Sequence, residues 1–383
     1  MGLKFQKKSD SSEFIGKERA ALELVLKTIS HHITISACET FSSDDIVSTT
    51  VGMALKQSSP TATYKVPNYK FPSATTFWTC LNTIKFEELK KNNVALFREY
   101  LHQFLKIGES YVFAIDEVDD CFYGEIVPQN EDHVVGGKQK KSTNFFYRYI
   151  TLYSTIKHRR VTLAVFPVQN SIKKMSYIQQ IIEIIRSEGY GIKILLLDRG
   201  FFSRDIYHYL QNEEIPHIMP AKAQGKEMIS LLANEELRQF TYILCKNKET
   251  ALEIEILRYT ESRSKKDGTV KRKHHGFVVF GVDWNLTKVK RFYRSRFAIE
   301  SSYRMRNIVR PKTSTRNPVI RYYFAIVSFL LKNVWFVLLF ENFRKKQSGP
   351  VVIISEWFRF DAFIDFMMDA LKLIRNSSNQ NQD

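Results

Sequence analysis

Cysteine is scarce: Cys38, Cys80, Cys121 and Cys245 stand singly among 383 residues, with no C-x-x-C pair. That excludes a disulfide scaffold and a cysteine-based zinc cluster, and it suits a reducing interior. Acid is also in the minority, with 40 Asp and Glu against 57 Lys and Arg, a formal charge of +17. A surface of that sign seeks a polyanion, nucleic acid or an anionic membrane. No internal repeat is visible, and the opening MGLKFQKKSDSSEF has no signal-peptide apolar core. The Met-Gly start matches a myristoylation pattern only in part, since Lys7 stands beside the Ser or Thr position. What is present is ordinary globular composition, 44% hydrophobic and 25% charged, enough for a large buried core. The chain reads as soluble, cytoplasmic and not membrane-inserted.

One segment tests that reading. Residues 322–340 form a 19-residue apolar run, long enough to span a bilayer. Lys332 and Asn333 lie at its middle, where a lysine costs about 2.5–3.5 kcal/mol on insertion. A core helix is the better expectation.

Apolar spacing predicts helices over 18–30, 44–57 and 86–106. A shorter one over 73–82 opens on Ser73 and suits the recognition helix of a DNA reader as well as a plain helical cap. From residue 111 the texture changes to strands: YVFAID, FFYRYITLYSTI, RVTLAVFPV and GIKILLLD, with His158, Arg159 and Arg160 expected as a turn. Helices over MSYIQQIIEIIRSEGY and SRDIYHYLQNEE complete an α/β pattern. Strand-like segments at 238–247, 251–260 and 274–283 then interrupt it as a β-rich insertion. Helices resume near 287 and continue through the apolar run and 351–374, before a polar tail, NSSNQNQD, expected to be disordered.

Two acids stand out by position. Asp116 closes YVFAID and Asp198 closes GIKILLLD. A carboxylate at the end of a buried strand is not there for the core, because unpaired burial is strongly penalised. Ligands of α/β sheets gather at those ends. Two such acids side by side repel unless a cation lies between them, and hard oxygen ligands favour Mg²⁺ or Mn²⁺. Asp119, Asp120 and Glu125 crowd the first acid, so spacing alone does not single out Asp116. A third acid, Glu300, shares a helical stripe with Tyr293, Arg296, Tyr303, Arg304 and Asn307. An ordinary Arg296–Glu300 surface pair would give the same spacing. The GGKQKKST segment at 136–143 lacks the G-K-[ST] order of a phosphate loop, and the neighbouring His31–His32 and His274–His275 are not spaced as helical metal ligands.

Tyr293, Arg296 and Glu300 spell Y-x2-R-x3-E, preceded in order by AIDEVDDCFYGE around Asp116 and LLLDRGFF around Asp198. With the two aspartates 82 residues apart and Glu300 102 residues after Asp198, this resembles the DDE transposases of prokaryotic insertion sequences, of the insertion-sequence-four type. The stretch GGKQKKSTNFFYRYITLYS followed by RRVTLAVFPV is similar to archaeal members. The resemblance covers about residues 110–340.

It implies an α/β, RNase H-like catalytic core with a β-rich insertion and an α-helical N-terminal DNA-binding domain. The corresponding bounds are 1–107 for the helical domain, 108–212 and 287–345 for the two parts of the core, 213–286 for the insertion, and 346–383 for a C-terminal helix and tail. It implies that Asp116, Asp198 and Glu300 are catalytic and hold two Mg²⁺ (or Mn²⁺) ions, with no covalent protein–DNA intermediate. Tyr293 and Arg296 would grip double-stranded DNA near the transposon end, in a homodimeric synaptic complex associated with a prokaryotic nucleoid. The family's Lys seven positions after Glu is here Asn307, leaving Arg304, Arg306 or Arg310 to supply that cation. Trp284 could stack on a flipped base or simply pack. Lys138, Lys140 and Lys141, and the loop cluster Lys265, Lys266, Lys271, Arg272 and Lys273, add phosphate-neutralising charge. The competing expectations are a decayed copy that binds DNA without cutting and an RNase H-like nuclease without strand transfer.

Overall fold

A computed structural model describes residues 11–63, 71–102, 104–156, 159–246, 248–264, 268–345 and 352–380, with side chains described except at 11–17, 155–156, 159, 295, 297–301, 344–345, 352 and 375–380. Five helices open the chain: α1 (Ser11–His32), α2 (Ser43–Lys56), α3 (Pro60–Thr63), α4 (Ala74–Leu81) and α5 (Phe86–Leu101). Their starts are chemically marked. Ser42 accepts from the Asp45 amide while the Asp45 carboxylate accepts from the Ser42 amide, a reciprocal cap, and Ser73 caps α4. On α5, Leu89, Asn93, Leu96, Phe97 and Tyr100 recur at helical spacing and are buried.

The sheet begins with β1 (Ser110–Phe122), β2 (Val134–Lys140), β3 (Thr143–Ile156) and β4 (Arg159–Pro167). Then follow α6 (Lys174–Ser187), β5 (Gly191–Leu197), α7 (Arg204–Asn212), β6 (His217–Pro220), α8 (Lys226–Ala233), β7 (Gln239–Leu244), β8 (Leu252–Ser264) and β9 (Val270–Phe280). The chain closes with α9 (Leu286–Ile308), α10 (Pro318–Asn342), the two-residue strands β10 (Arg344–Lys345) and β11 (Val352–Ile353), and α11 (Phe360–Gln380).

Nine strands make one mixed sheet in the order β2-β3-β1-β5-β6-β9-β8-β7, with β4 on the outer edge of β3 beside β2. β1, β5 and β6 run parallel, and β3 and β4 run antiparallel to their neighbours. The strands β7, β8 and β9 do not form a separate sheet. They continue the same one through the β6–β9 pairing, His217 opposite Phe280. The β2–β3 turn places Lys141 (φ 48°) and Ser142 (φ 65°) in the left-handed region, the twist-matched form of a two-residue hairpin.

Alternation along β1 separates two layers. Phe113 and Ile115 join a large core shared with α1, α2, α5, α6, α10 and α11. Ala114 joins a smaller one with Tyr153, Leu196, Ile218 and residues of α9. The N-terminal helices therefore share their core with the sheet.

The apolar run becomes α10, whose most hydropathic window is 94% buried in protein. Asn333 and Lys332, at its middle, serve the edge strand. Asn333 accepts from the Thr162 amide (3.0 Å) and donates to the Thr162 carbonyl (2.8 Å), beside the point where the β3–β4 register slips. Lys332 donates to the Arg160 carbonyl. Asn93 of α5 accepts from the Val165 amide (3.0 Å), and Tyr322 of α10 donates to its carbonyl (2.7 Å). An edge strand whose backbone groups are answered by side chains offers no template for another chain.

Four expectations differ from the structure. β1 runs six residues past Asp116, because its carboxylates from Glu117 to Asp120 all find cations and need not end the strand. Arg159 and Arg160 belong to β4 rather than to a turn, and His158 lies outside the described residues. The expected helix over 351–374 begins only at Phe360, since the β-branched Val352 and Ile353 pair with Arg344 and Lys345. At its other end α11 continues through Gln380, into the polar stretch expected to be disordered.

Candidate active site

β5 stops at Leu197, paired with Ile115, while β1 continues. Asp116 and Asp198 therefore sit side by side, where one parallel strand leaves the sheet. Asp198 caps the short 3-10 turn Arg199–Phe201. Asp116 is 8% exposed, with one carboxylate oxygen accepting from the Glu117 amide (2.9 Å).

α9 lies across this point on the small-core face. Arg296 places one guanidinium nitrogen 2.9 Å from Asp116 and the other 3.1 Å from Asp198. The two carboxylates thus converge on one cation. Burial pushes the Asp116 carboxyl up to about 7, opposed by Arg296 and reinforced by the Asp198 charge. Tyr293, 3% exposed, donates its hydroxyl to the Leu197 carbonyl (3.3 Å) and so braces the end of β5 from inside. Burial also raises its hydroxyl far above the ordinary tyrosine range.

The acids that crowd Asp116 in the sequence sort themselves by partner. Asp119 binds Arg148 (2.6 Å) and Lys140 (2.8 Å), Glu117 binds Lys174 (2.6 Å), and Glu125 binds Arg316 (3.1 Å). Asp120 is held by Arg306, with a 2.9 Å bond from its second guanidinium nitrogen, and by Arg310. Those arginines hold Asp120 down at about 2 despite its burial. Of the acids on β1, Asp116 is the one joined to Asp198.

The geometry of α9 follows from these contacts. From Arg296 to Arg306 the helix rises about 15 Å, and from Asp116 to Asp120 the strand rises about 13 Å. α9 crosses the sheet, from Lys290 over the Tyr259 ring of β8 to Tyr303 against Thr151 of β3, and is tied to β1 by ion pairs at Arg296 and Arg306. Between them Tyr303 shares a hydrogen bond with Thr151 (2.9 Å), whose hydroxyl also meets the Asp116 carbonyl (3.2 Å). The backbone of Glu300 falls in this interval, four residues after Arg296 and three before Tyr303, on the same side of the helix. Its side chain lies outside the described residues.

The other sequence candidates are spread more widely. Arg304 is exposed, whereas Arg306 is fully buried against Asp120, so Arg306 and Arg310 are already engaged. Asn307 accepts from Arg306 (3.1 Å). Lys138, Lys140 and Lys141 are exposed at the tip of the β2–β3 hairpin. Trp284 is half-buried, with its ring 4.4 Å from Phe292 and the Lys288 ammonium 4.3 Å above it. Lys271, Arg272 and Lys273 are exposed on β9, and Lys265 and Lys266 lie outside the described residues.

Two residues escaped the sequence reading. Asp120 carried no signal beyond its place in an acidic run. Arg160, 4% exposed, points a guanidinium into the protein, and among the described residues none of its three nitrogens has a hydrogen-bond partner. Burial pushes it down to about 10, with Tyr153 and Asp116 among the groups whose field it feels. A basic residue expected in a turn gave no hint of burial.

The donor set fits a divalent cation: two hard carboxylates from separate strands already share one positive group, and the buried one is costly to ionise without it.

No family model matches the chain, and no curated protein matches it. Among solved structures it is similar to a piggyBac transposase in a synaptic complex with hairpin DNA. The two agree with a TM-score of 0.54 at 11% identity, over 98% of this chain and 82% of that one. This chain therefore has the mixed α/β fold of a transposase structure.

Proposed function

We propose that this protein is a DNA transposase that cuts transposon ends and joins them to target DNA, with an RNase H-like core of the insertion-sequence-four type. The single observation that carries the reading is the convergence of Asp116 and Asp198 on one cationic group at the point where β5 ends. The shared fold and the charge of +17 support it.

In this reading Asp116, Asp198 and Glu300 would hold Mg²⁺ or Mn²⁺. The bound ions would supply an activated water or 3′-hydroxyl and neutralise the leaving oxygen in an in-line attack on a phosphodiester. The chain's own residues set the stage. Tyr293 fixes the end of β5, so that the Asp198 carboxylate keeps its place beside Asp116. Arg296 bridges the two acids and keeps them close, and its planar fork is equally suited to a DNA phosphate. The Asp120–Arg306 pair anchors the far end of α9 and so fixes the helical turn that carries Glu300. Lys138, Lys140 and Lys141, with the basic residues of β9, would track the DNA backbone. The synaptic complex would contain two copies.

The test is cleavage of the element's own ends by the purified chain in Mg²⁺. Cleavage that stops without metal and is lost in Asp198→Asn supports the reading, and undiminished cleavage by Asp198→Asn removes it. A chain that binds DNA without cutting is the second reading, favoured by Asn307 and by the engagement of Arg306 and Arg310 with Asp120. It requires that Glu300→Gln leave every activity unchanged.

A further inference from the structure

Beyond Asp116, the distal half of β1 forms one wall of a cavity of about 330 Å³, lined by Asp120, Tyr123, Arg310, Lys312, Ser314 and Arg321 among others. The opposite wall is the connection between α9 and α10, residues 309–317, which contains Arg310, Lys312 and Arg316 and no acid. Among the described residues of the cavity wall the one acid is Asp120, already matched by two arginines. Arg310 still exposes about a third of its side chain, 35%. Lys312 is exposed and has no ion-pair partner among the described residues. Arg321 donates to the Thr315 carbonyl (2.6 Å) and lies over the Phe122 and Tyr147 rings, where burial lowers its affinity for a proton. With Arg306 behind Asp120, four cations face one carboxylate.

The β2–β3 hairpin lies against the same strand end. Tyr123 donates to the Lys141 carbonyl (2.9 Å), and the Cys121 thiol lies 3.8 Å from the Lys140 carbonyl. The exposed lysines of the hairpin therefore continue the positive surface out of the cavity.

We propose that this cavity is a phosphate-binding subsite for a DNA strand whose reacting phosphate lies at Asp116 and Asp198. The proposal rests on the transposase reading for that second phosphate, and its own content is where the strand runs and what holds it. Asp120 lies four residues along β1 from Asp116, about 13 Å, which is about four nucleotides of duplex rise. Lys312 and Arg310 would meet the phosphate oxygens, with Thr313 and Ser314 donating from their hydroxyls.

The experiment measures binding of a labelled duplex of arbitrary sequence to the full chain over a range of salt. Removing one phosphate contact lowers the slope of log K against log salt by about 0.9. Lys312→Ala is expected to lose about that much slope, and Lys312→Arg to keep it. Lys193→Ala, an exposed lysine on the N-terminal half of β5, removes the same charge elsewhere and should leave the slope unchanged. Equal loss in Lys312→Ala and Lys193→Ala, or none in Lys312→Ala, overturns the subsite. Inorganic phosphate is tested separately by its ³¹P linewidth. Broadening that depends on Lys312, with an unaltered DNA slope, makes this a small-anion pocket and also overturns the proposal. Metal-dependent cleavage by wild type and Asp198→Asn, run in parallel, tells the two failures apart. A changed slope without cleavage keeps the subsite and removes the transposase reading. Cleavage with an unchanged slope does the reverse.

Discussion

Replacing Asp120 with asparagine should be among the most destabilising polar substitutions in the chain. Asp120 is 5% exposed and its chief partner Arg306 is fully buried, so the substitution leaves a guanidinium in the interior with no counter-charge. Breaking a buried pair in this way costs about 3–5 kcal/mol. Proton linkage gives an independent scale. Asp120 is lowered from 3.8 to about 2 in the folded chain, and a shift of that size corresponds to roughly 2 kcal/mol. The folded carboxyl is depressed, so this stabilisation is complete at neutral pH, begins to fade as pH falls toward 4, and is gone below about 2. Asparagine mimics the protonated acid and removes the same support at every pH. Urea unfolding at neutral pH, followed by circular dichroism, should show the midpoint falling by the equivalent of about 2–5 kcal/mol with an unchanged slope. In a chain already carrying Arg306→Met, the same substitution should cost much less, since the buried charge is gone. A loss below about 1 kcal/mol in the wild-type background, the range of a surface pair, would refute the claim that this pair anchors α9.

Arg296→Met leaves two carboxylates facing each other, and Asp116 can take up a proton, so the cost in metal-free buffer should be roughly 1–3 kcal/mol. Added Mg²⁺ should restore melting temperature in that variant and have no effect on Asp116→Asn/Asp198→Asn. Arg160→Met should stabilise the chain by about 1–3 kcal/mol in chemical denaturation, because it replaces a buried cation that has no hydrogen-bond partner among the described residues with an apolar side chain. Asn333→Leu should destabilise by about 2 kcal/mol or more, since the Thr162 amide and carbonyl both lose their partner.

The order of most elements was legible because each announces itself locally. α2 begins at a reciprocal cap, α5 carries a buried stripe, and β5 is an unbroken apolar run. The core placement of α10 could be reasoned from Lys332 and Asn333, though not that they serve the edge of β4. What the chain did not disclose locally depends on pairing partners. β2 is mostly exposed, with a Gly-Gly pair and three polar residues, and becomes a strand because β3 is beside it. β6 is only four residues long and joins β5 and β9. At the site, Asp116 and Asp198 stood out as acids closing apolar runs. Arg296 and Tyr293 were visible as a spacing, but their burial against the strand ends was not. The partition among Asp116, Asp119 and Asp120 is set by which arginine reaches which carboxylate, and so by tertiary packing alone.

The central claim is that Asp116, Asp198 and Glu300 share divalent cations. A crystal of the full chain soaked in Mn²⁺ and read by anomalous scattering tests it most directly. The account predicts a signal between the carboxylates of Asp116 and Asp198, with Glu300 among the ligands. A chain that binds no Mn²⁺ there, or one whose Glu300 carboxylate points away from both aspartates, would contradict it.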